Sequence, residues 1–326
     1  MTSATNRLHP IGLAVAAALL LGVWHFARLP GDGPLIGPLH SAAHFPLFGL
    51  LAVIVFIALR RFATPGRQNA WGVYGGTLLV MLVISGVTEW SQQFTARNAS
   101  LWDVAVNMAG TVAALALIAL YDRQVAEFTQ TRLRTLSLAL LPVILAALVL
   151  LPVAGISAAL MKRDADFPCL VCPKNRVDLW MIDRNGASVR LAAGPDRETY
   201  LEILMETSAF PGVSWEWPVK DWRGFDALEL ELGNPGPLPL DLTLRIDDLH
   251  HNFRFTDRFN QRITLEAGSR SRECIPLTDL ENAPEGRQMD LSGIARLMLF
   301  GSEASHGSRF RIYGIRLIRH QEMGSC

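Results

Sequence analysis

Five stretches of this chain, Ile11–Ala27, Ser41–Leu59, Trp71–Trp90, Val104–Tyr121 and Leu136–Leu160, are long and apolar enough to be bilayer spans. A spanning helix needs about 20 mostly apolar residues. Hydrocarbon offers backbone amides no partner, so such runs are expected to fold as helices. Pro142 and Pro152 fall inside the last run, where neighbouring helices can satisfy the freed carbonyls. The first run could be read as a signal peptide headed by Arg7. However, Trp24, His25 and Phe26 follow its apolar core where a small-residue cleavage site would be required, so it is read as a retained span.

The charges divide the chain in two. Half of the 326 residues are hydrophobic and only 18% are charged, which excludes a disordered chain. Residues 1–160 hold 9 of the 30 basic and 5 of the 30 acidic side chains, so the net charge of zero is +4 there and −4 beyond. An acidic second half gives no reason to expect nucleic acid as a partner. Basic residues gather in the tail (Arg7), the second loop (Arg60, Arg61, Arg67) and the fourth (Arg123, Arg132, Arg134), while the first and third loops carry one each, Arg28 and Arg97. Positive loops stay inside. The expectation is therefore a multi-pass membrane protein, with the N-terminus cytoplasmic and everything after Leu160 extracytoplasmic. Lys162 and Arg163 at that exit run against the rule.

On that topology His44 opens the second span, Glu89 closes the third and Asp103 opens the fourth, with Arg97 and Ser100 in the loop between the last two. All five belong to the outer boundary, and ionisable groups there need partners. Helical spacing puts Asp103, Asn107 and Thr111 on one face, and Ser85, Glu89 and Gln92 on another. Gly110 and Ala114 follow at a spacing that lets another helix approach closely. The expectation is a polar pocket of His44, Glu89, Arg97 and Asp103, with Gln92, Ser100 and Asn107 around it; packing of helices is the competing reading. His40 and His44 with the two carboxylates raise the question of a zinc site. His40 lies beside Pro38 and no HExxH is present, so neither metal nor other cofactor is assigned.

These residues carry a resemblance. His44 to Phe48, Glu89 to Gln92, and Arg97 through Ser100, Asp103 and Asn107 to Gly110 are similar in type and spacing to the VanZ-like family. That family is named for a protein conferring low-level resistance to the glycopeptide teicoplanin. The resemblance covers about residues 10–122, and implies a small polytopic envelope protein in contact with membrane lipids, without an established reaction. Two positions depart from the family pattern: Ser41 where a lysine often stands, and Thr88 where an acidic residue often stands.

Beyond the fifth span the texture changes. Leu228, Leu230 and Leu232 alternate with Glu229 and Glu231; Leu240, Leu242, Leu244 and Ile246 alternate with polar residues. Period-two patterns broken by turns such as Gly233 to Pro239 predict an all-β, two-sheet sandwich. The expected plan is a membrane domain over 1–122, a cytoplasmic loop and fifth span over 123–163, a connector over 164–176 and a sandwich over 177–320. The layout from Trp215 to Phe300 resembles galactose-binding-like jelly rolls, many of which bind carbohydrate. That resemblance implies a glycan site using Trp215, Trp217, Arg254, Asp257 and Arg258, because sugar rings stack on exposed aromatics flanked by polar groups. Cys169 and Cys172 lack a βαβ context and are expected to form a local disulfide, with free thiols or a metal clip as alternatives. Cys274 is expected to be buried and unpaired. Two functions stay open: an envelope protein that binds glycan, and a membrane enzyme acting on a lipid-linked or cell-wall glycan through His44, Glu89, Arg97 and Asp103. A transporter ranks below both, since no internal repeat is visible.

Overall fold

The computed structural model describes residues 33–63, 67–92, 100–125, 131–216, 219 and 221–320, with Gly12 and Gly22. The expected first span therefore lies outside the described residues, as do Arg97, Trp217 and Cys326. The chain divides into two compact units, Met1–Val153 and Ala154–Cys326.

The first unit is helical. Helices α1 (Ile36–Phe62), α2 (Arg67–Gln92), α3 (Leu101–Tyr121) and α4 (Arg132–Asp166), the last with its residues from Ala154 counted in the second unit, are each long and apolar enough to cross a membrane, four among the described residues against five expected from the whole sequence. Helices α1, α2 and α3 pack on one another. Phe48, Leu51, Ala52 and Met81 form one buried cluster; Phe56, Val73, Tyr74 and Leu115 belong to a second. Leu50, Leu79, Val83, Val87 and Leu117 point outward, as a lipid-facing surface requires. Ser100 caps α3, its Oγ accepting from Trp102 N at 3.2 Å. Close approach of α1 to α3 depends on glycine. A Cβ on Gly110 would overlap the carbonyl oxygen of Phe45, and one on Gly49 would lie 3.2 Å from the Gly110 oxygen.

At the end of this bundle away from His44, a second polar contact joins three helices. Arg60 in the last turn of α1 pairs with Asp122, which caps α3, its Nη2 lying 2.8 Å from Oδ1. Tyr74 of α2 donates to the same carboxylate at 3.1 Å. The sequence treats Arg60 only as a topology signal, yet the folded chain uses it as a cross-link.

The second unit is a β-sandwich. One sheet runs β3 (Ala187–Ala193), β4 (Thr199–Met205), β11 (Arg309–Ile318), β6 (Ala227–Gly233), β9 (Arg270–Pro276), with β1 (Cys169–Val171) also on β11. The other runs β2 (Asp183–Asn185), β5 (Gly212–Glu216), β10 (Ile294–Phe300), β7 (Leu240–Asp248), β8 (Phe259–Leu265). The strand ladders are antiparallel. The predicted alternation is observed: Leu228, Leu230, Leu232, Leu242, Leu244 and Ile246 are buried in the core between the sheets. The loop after β6 turns because Asn234 donates to Leu238 O at 2.8 Å and Leu265 O at 3.0 Å while accepting from Gly236 N at 2.8 Å.

Two cysteine expectations resolve differently. Cys169 and Cys172 are joined as a disulfide. Because Cys169 lies on β1, paired with β11, part of the segment expected to be a connector is stitched into the first sheet. Cys274, expected to be buried and unpaired, is half-buried on β9, an edge strand, and is disulfide-bonded. The Cys169–Cys172 bond closes a loop so short that it removes little chain entropy, worth about 2 kcal/mol. The double variant Cys169→Ser/Cys172→Ser is therefore expected to lower the melting temperature of the second unit by only a few degrees, measured by the near-ultraviolet circular dichroism of the full chain. Loss of the native spectrum at room temperature would contradict this.

Candidate functional site

Three helices deliver His44, Glu89 and Asp103 to one point. One ligating atom from each, the imidazole nitrogen and a carboxylate oxygen from each acid, lie within 4.8 Å of one another. His44 stands two turns into α1, Glu89 in the last turn of α2 and Asp103 in the first turn of α3. The α3 position is favourable, since a carboxylate there faces the positive end of the helix dipole. All three are withdrawn from the surface, His44 to 1% exposure and Glu89 to 4%.

A second layer orients the imidazole. His44 Nδ1 lies 2.8 Å from Asn107 Oδ1, and Asn107 Nδ2 donates to Ser85 Oγ at 2.9 Å. With the amide nitrogen committed to Ser85, the amide oxygen must accept from the imidazole. Nδ1 therefore carries a proton, and in the neutral ring Nε2 holds the lone pair. Asn107, on the polar face of α3, is fully buried. Glu89 accepts from Gln92 Nε2 at 3.1 Å and from Ser100 N at 3.3 Å. Asp103 Oδ1 is buried with no hydrogen-bond partner among the described residues. Of the residues expected in the pocket, His44, Glu89, Gln92, Ser100, Asp103 and Asn107 are thus brought together, and Arg97 falls outside the described residues. Ser85, on the same helical face as Glu89, is the added member that sequence spacing pointed to without assigning a role.

The glycan residues expected on the sandwich fare less well. Trp215 is buried in the core beside Leu297, its cross-strand neighbour on β10, because the alternation along β5 sends Val213 and Trp215 inward. It is therefore no surface platform. Asp257 is buried and engaged: Arg287 Nε donates to its Oδ1 at 2.5 Å and Asn252 N to its Oδ2 at 2.7 Å. Arg258 is half-buried over the Phe255 ring at 5.1 Å. Arg254 is exposed. The aromatics that do stand in solvent are Phe253 and Phe255, in the loop between β7 and β8, at 87% and 68% exposure. Phe253 has φ +67°, a left-handed conformation that costs a non-glycine residue about 1–3 kcal/mol and gathers at functional loops. Beside it a groove of about 180 Å³ is lined by Glu216, Asp247, Asp248, Leu249, His251, Phe253 and Arg296. The signal in the sequence was the aromatic–basic alternation Phe253, Arg254, Phe255.

The hydrogen bond from Arg287, reinforced by Asn252 N–H, holds the Asp257 carboxyl below its ordinary value. A carboxylate whose pKa is depressed by folding stabilises the fold above its unfolded pKa, and that contribution fades as pH falls through the folded value. The window therefore lies below about pH 4. The Asp257→Asn variant is expected to show a shallower loss of melting temperature than the parent chain as pH drops from 5 to 2. Parallel curves would remove Asp257 from the acid sensitivity.

No protein-family model matches the chain, and no curated protein matches it. Among solved structures it is similar to an exo-β-agarase, at 19% identity and TM-score 0.35 over 43% of this chain and 23% of that one. It is similar to the family 11 carbohydrate-binding module from Clostridium thermocellum in complex with a β-1,3-1,4-mixed-linked tetrasaccharide, at 15% identity and TM-score 0.35 over 43% of this chain and 89% of that one. A third is the Clostridium thermocellum xylanase 10B fragment of CBM22-1 and GH10 modules, at 8% identity and TM-score 0.31. The chain spans less than a quarter of the agarase.

Proposed function

We propose that this chain is a VanZ-like envelope protein of the bacterial cytoplasmic membrane, with a polar pocket at the outer face and an extracytoplasmic, jelly-roll-type sandwich that binds glycan. The observation that carries the reading is the meeting of His44, Glu89 and Asp103 from three apolar helices. Three buried ionisable groups would be costly as mere packing, and helices held together by small residues at Gly49 and Gly110 need no such glue. The tie from Ser85 through Asn107 to His44 supports a site, because it fixes a tautomer that packing would not require. Arg97 belongs to the proposal as the neighbouring cation, on its place in the sequence. The exposed Phe253, which lines the groove at Glu216 and Arg296, and the exposed Phe255 in the same loop support glycan binding, as flat aromatic faces do.

The second reading, an acid–base enzyme for a lipid-linked or cell-wall glycan, is favoured by one feature. With Nδ1 donating to Asn107 the neutral ring keeps its lone pair on Nε2, and one ring nitrogen lies within 4.8 Å of a carboxylate oxygen of each acid, which suits proton transfer. His44→Ala and Glu89→Gln are then expected to abolish an envelope phenotype, such as altered glycopeptide tolerance, at unchanged protein level in the membrane. Full complementation by both removes the pocket's role. For the sandwich, the full chain in detergent is expected to be retained on at least one polysaccharide of a bacterial panel. Phe253→Ala/Phe255→Ala should weaken retention about tenfold, the loss of one to two stacking contacts of about 0.5–1.5 kcal/mol each. No retention of the parent chain on any member ends the glycan reading.

A further inference from the structure

We infer that His44, Glu89 and Asp103 form a binding site for a single divalent transition-metal ion of the zinc class. The inference rests on the reading of this cluster as a functional site and names its cofactor. Three observations converge. The donor set is one imidazole nitrogen and two carboxylate oxygens, all within 4.8 Å. Tetrahedral zinc at about 2.0–2.2 Å from each donor wants them about 3.3–3.6 Å apart, so the side chains need close by no more than about 1.5 Å. Asp103 Oδ1 is buried, belongs to a residue nine-tenths out of solvent, and has no partner among the described residues.

The imidazole is also presented as a ligand must be. Its Nδ1 donates to Asn107, which Ser85 holds in turn, so the neutral ring keeps a lone pair on Nε2 for a ligand. A ligating histidine almost always donates its other nitrogen to such an acceptor, which sets the tautomer and raises the basicity of the bound one. An imidazole in the set disfavours magnesium and calcium, which prefer oxygen throughout. Three protein donors leave a fourth position open for water or for the oxygen of a head group. Among the described residues this is the one group of three such donors that meets.

The test uses the full chain, purified in detergent without a polyhistidine tag, stripped with chelator and dialysed against zinc or cobalt. Expected results are about one zinc per chain by elemental analysis and a visible tetrahedral cobalt spectrum. Chelator should lower the melting temperature of the parent chain and leave His44→Ala unmoved. His44→Ala, Glu89→Gln and Asp103→Asn should each lose the bound metal, and Asn107→Leu should bind about 10–100-fold more weakly. Metal retained equally by His44→Ala and Asp103→Asn overturns the site, as does a parent chain that binds none. If the parent binds no zinc and Arg97→Ala destabilises the bundle as much as His44→Ala, the arginine supplies the countercharge and the inference falls. Loss of the envelope phenotype or of glycan retention is scored separately, so failure of the metal site and failure of the proposed function remain distinguishable.

Discussion

Replacing Gly110 with leucine is expected to dismantle the helical unit. Its Cα sits against the backbone of Phe45, whose carbonyl carbon would lie 2.9 Å from an added Cβ and whose oxygen would overlap it. Backbone cannot step aside as a side chain can. Relief would require α1 and α3 to separate, and that would break the packing of Ala114 on the Phe48 cluster and the Asn107–His44 hydrogen bond. Overpacking a well-filled contact costs about 1–3 kcal/mol even where side chains can adjust, so a backbone clash should exceed the upper end. Even alanine should be strongly destabilising here. Gly75 on α2 is the control: nothing lies within 4 Å of its would-be Cβ, so Gly75→Ala should leave stability unchanged or raise it by about 1 kcal/mol through helix propensity. Thermal melts in detergent, with the amount of membrane-inserted protein, separate the two. Equal behaviour of G110L and G75A would show that α1 and α3 do not cross at this glycine.

The second large effect is expected in the sandwich. Arg287 forks onto Asp248, with Nη1 at 2.6 Å and Nη2 at 2.8 Å from its two oxygens, while Nε holds Asp257. The Asp248 side chain is wholly out of solvent and also accepts from Asp290 N at 2.8 Å. Arg287→Met removes the countercharge and keeps most of the volume. An uncompensated buried carboxylate costs about 3–5 kcal/mol; since Arg287 is about a quarter exposed, about 3 kcal/mol is expected. Near-ultraviolet circular dichroism of the full chain should show the second unit melting about 6–12 °C lower, while the helical unit, followed at 222 nm, keeps its transition. Arg287→Lys should recover only part of the loss, because one ammonium cannot fork to both oxygens of Asp248 and reach Asp257 as well. A wild-type melt for Arg287→Met would show that Asp248 tolerates burial without the guanidinium.

How far the chain could be read before folding differs by residue. Glu89, Asp103 and His44 stood out because each ends or begins an apolar run, where a charge is conspicuous against its surroundings. Asn107 followed from its four-residue spacing from Asp103. Arg60 and Asp122 were equally present, but loop charges serve topology so regularly that a structural pair among them leaves no separate mark. Trp215 and Phe253 show the limit on the β side. Alternation says that neighbouring residues face opposite ways, and only the register with β10 says which way Trp215 faces. Asp257 looked like a ligand for sugar because its partner Arg287 lies 30 residues downstream, beyond any local pattern.

What the order of amino acids determined alone was local and periodic: apolar runs with the length of spans, an alternation of period two beyond them, and polar residues marking helix faces. These follow from backbone geometry and the cost of wetting hydrocarbon or burying charge, which neighbours in the chain suffice to set. Tertiary structure alone decided which of those marked faces meet. It placed an amide between an imidazole and a serine, turned one tryptophan into the core while leaving two phenylalanines in water, and paired Cys274. Such outcomes depend on contacts between residues distant along the chain, where packing and electrostatic compensation act through space.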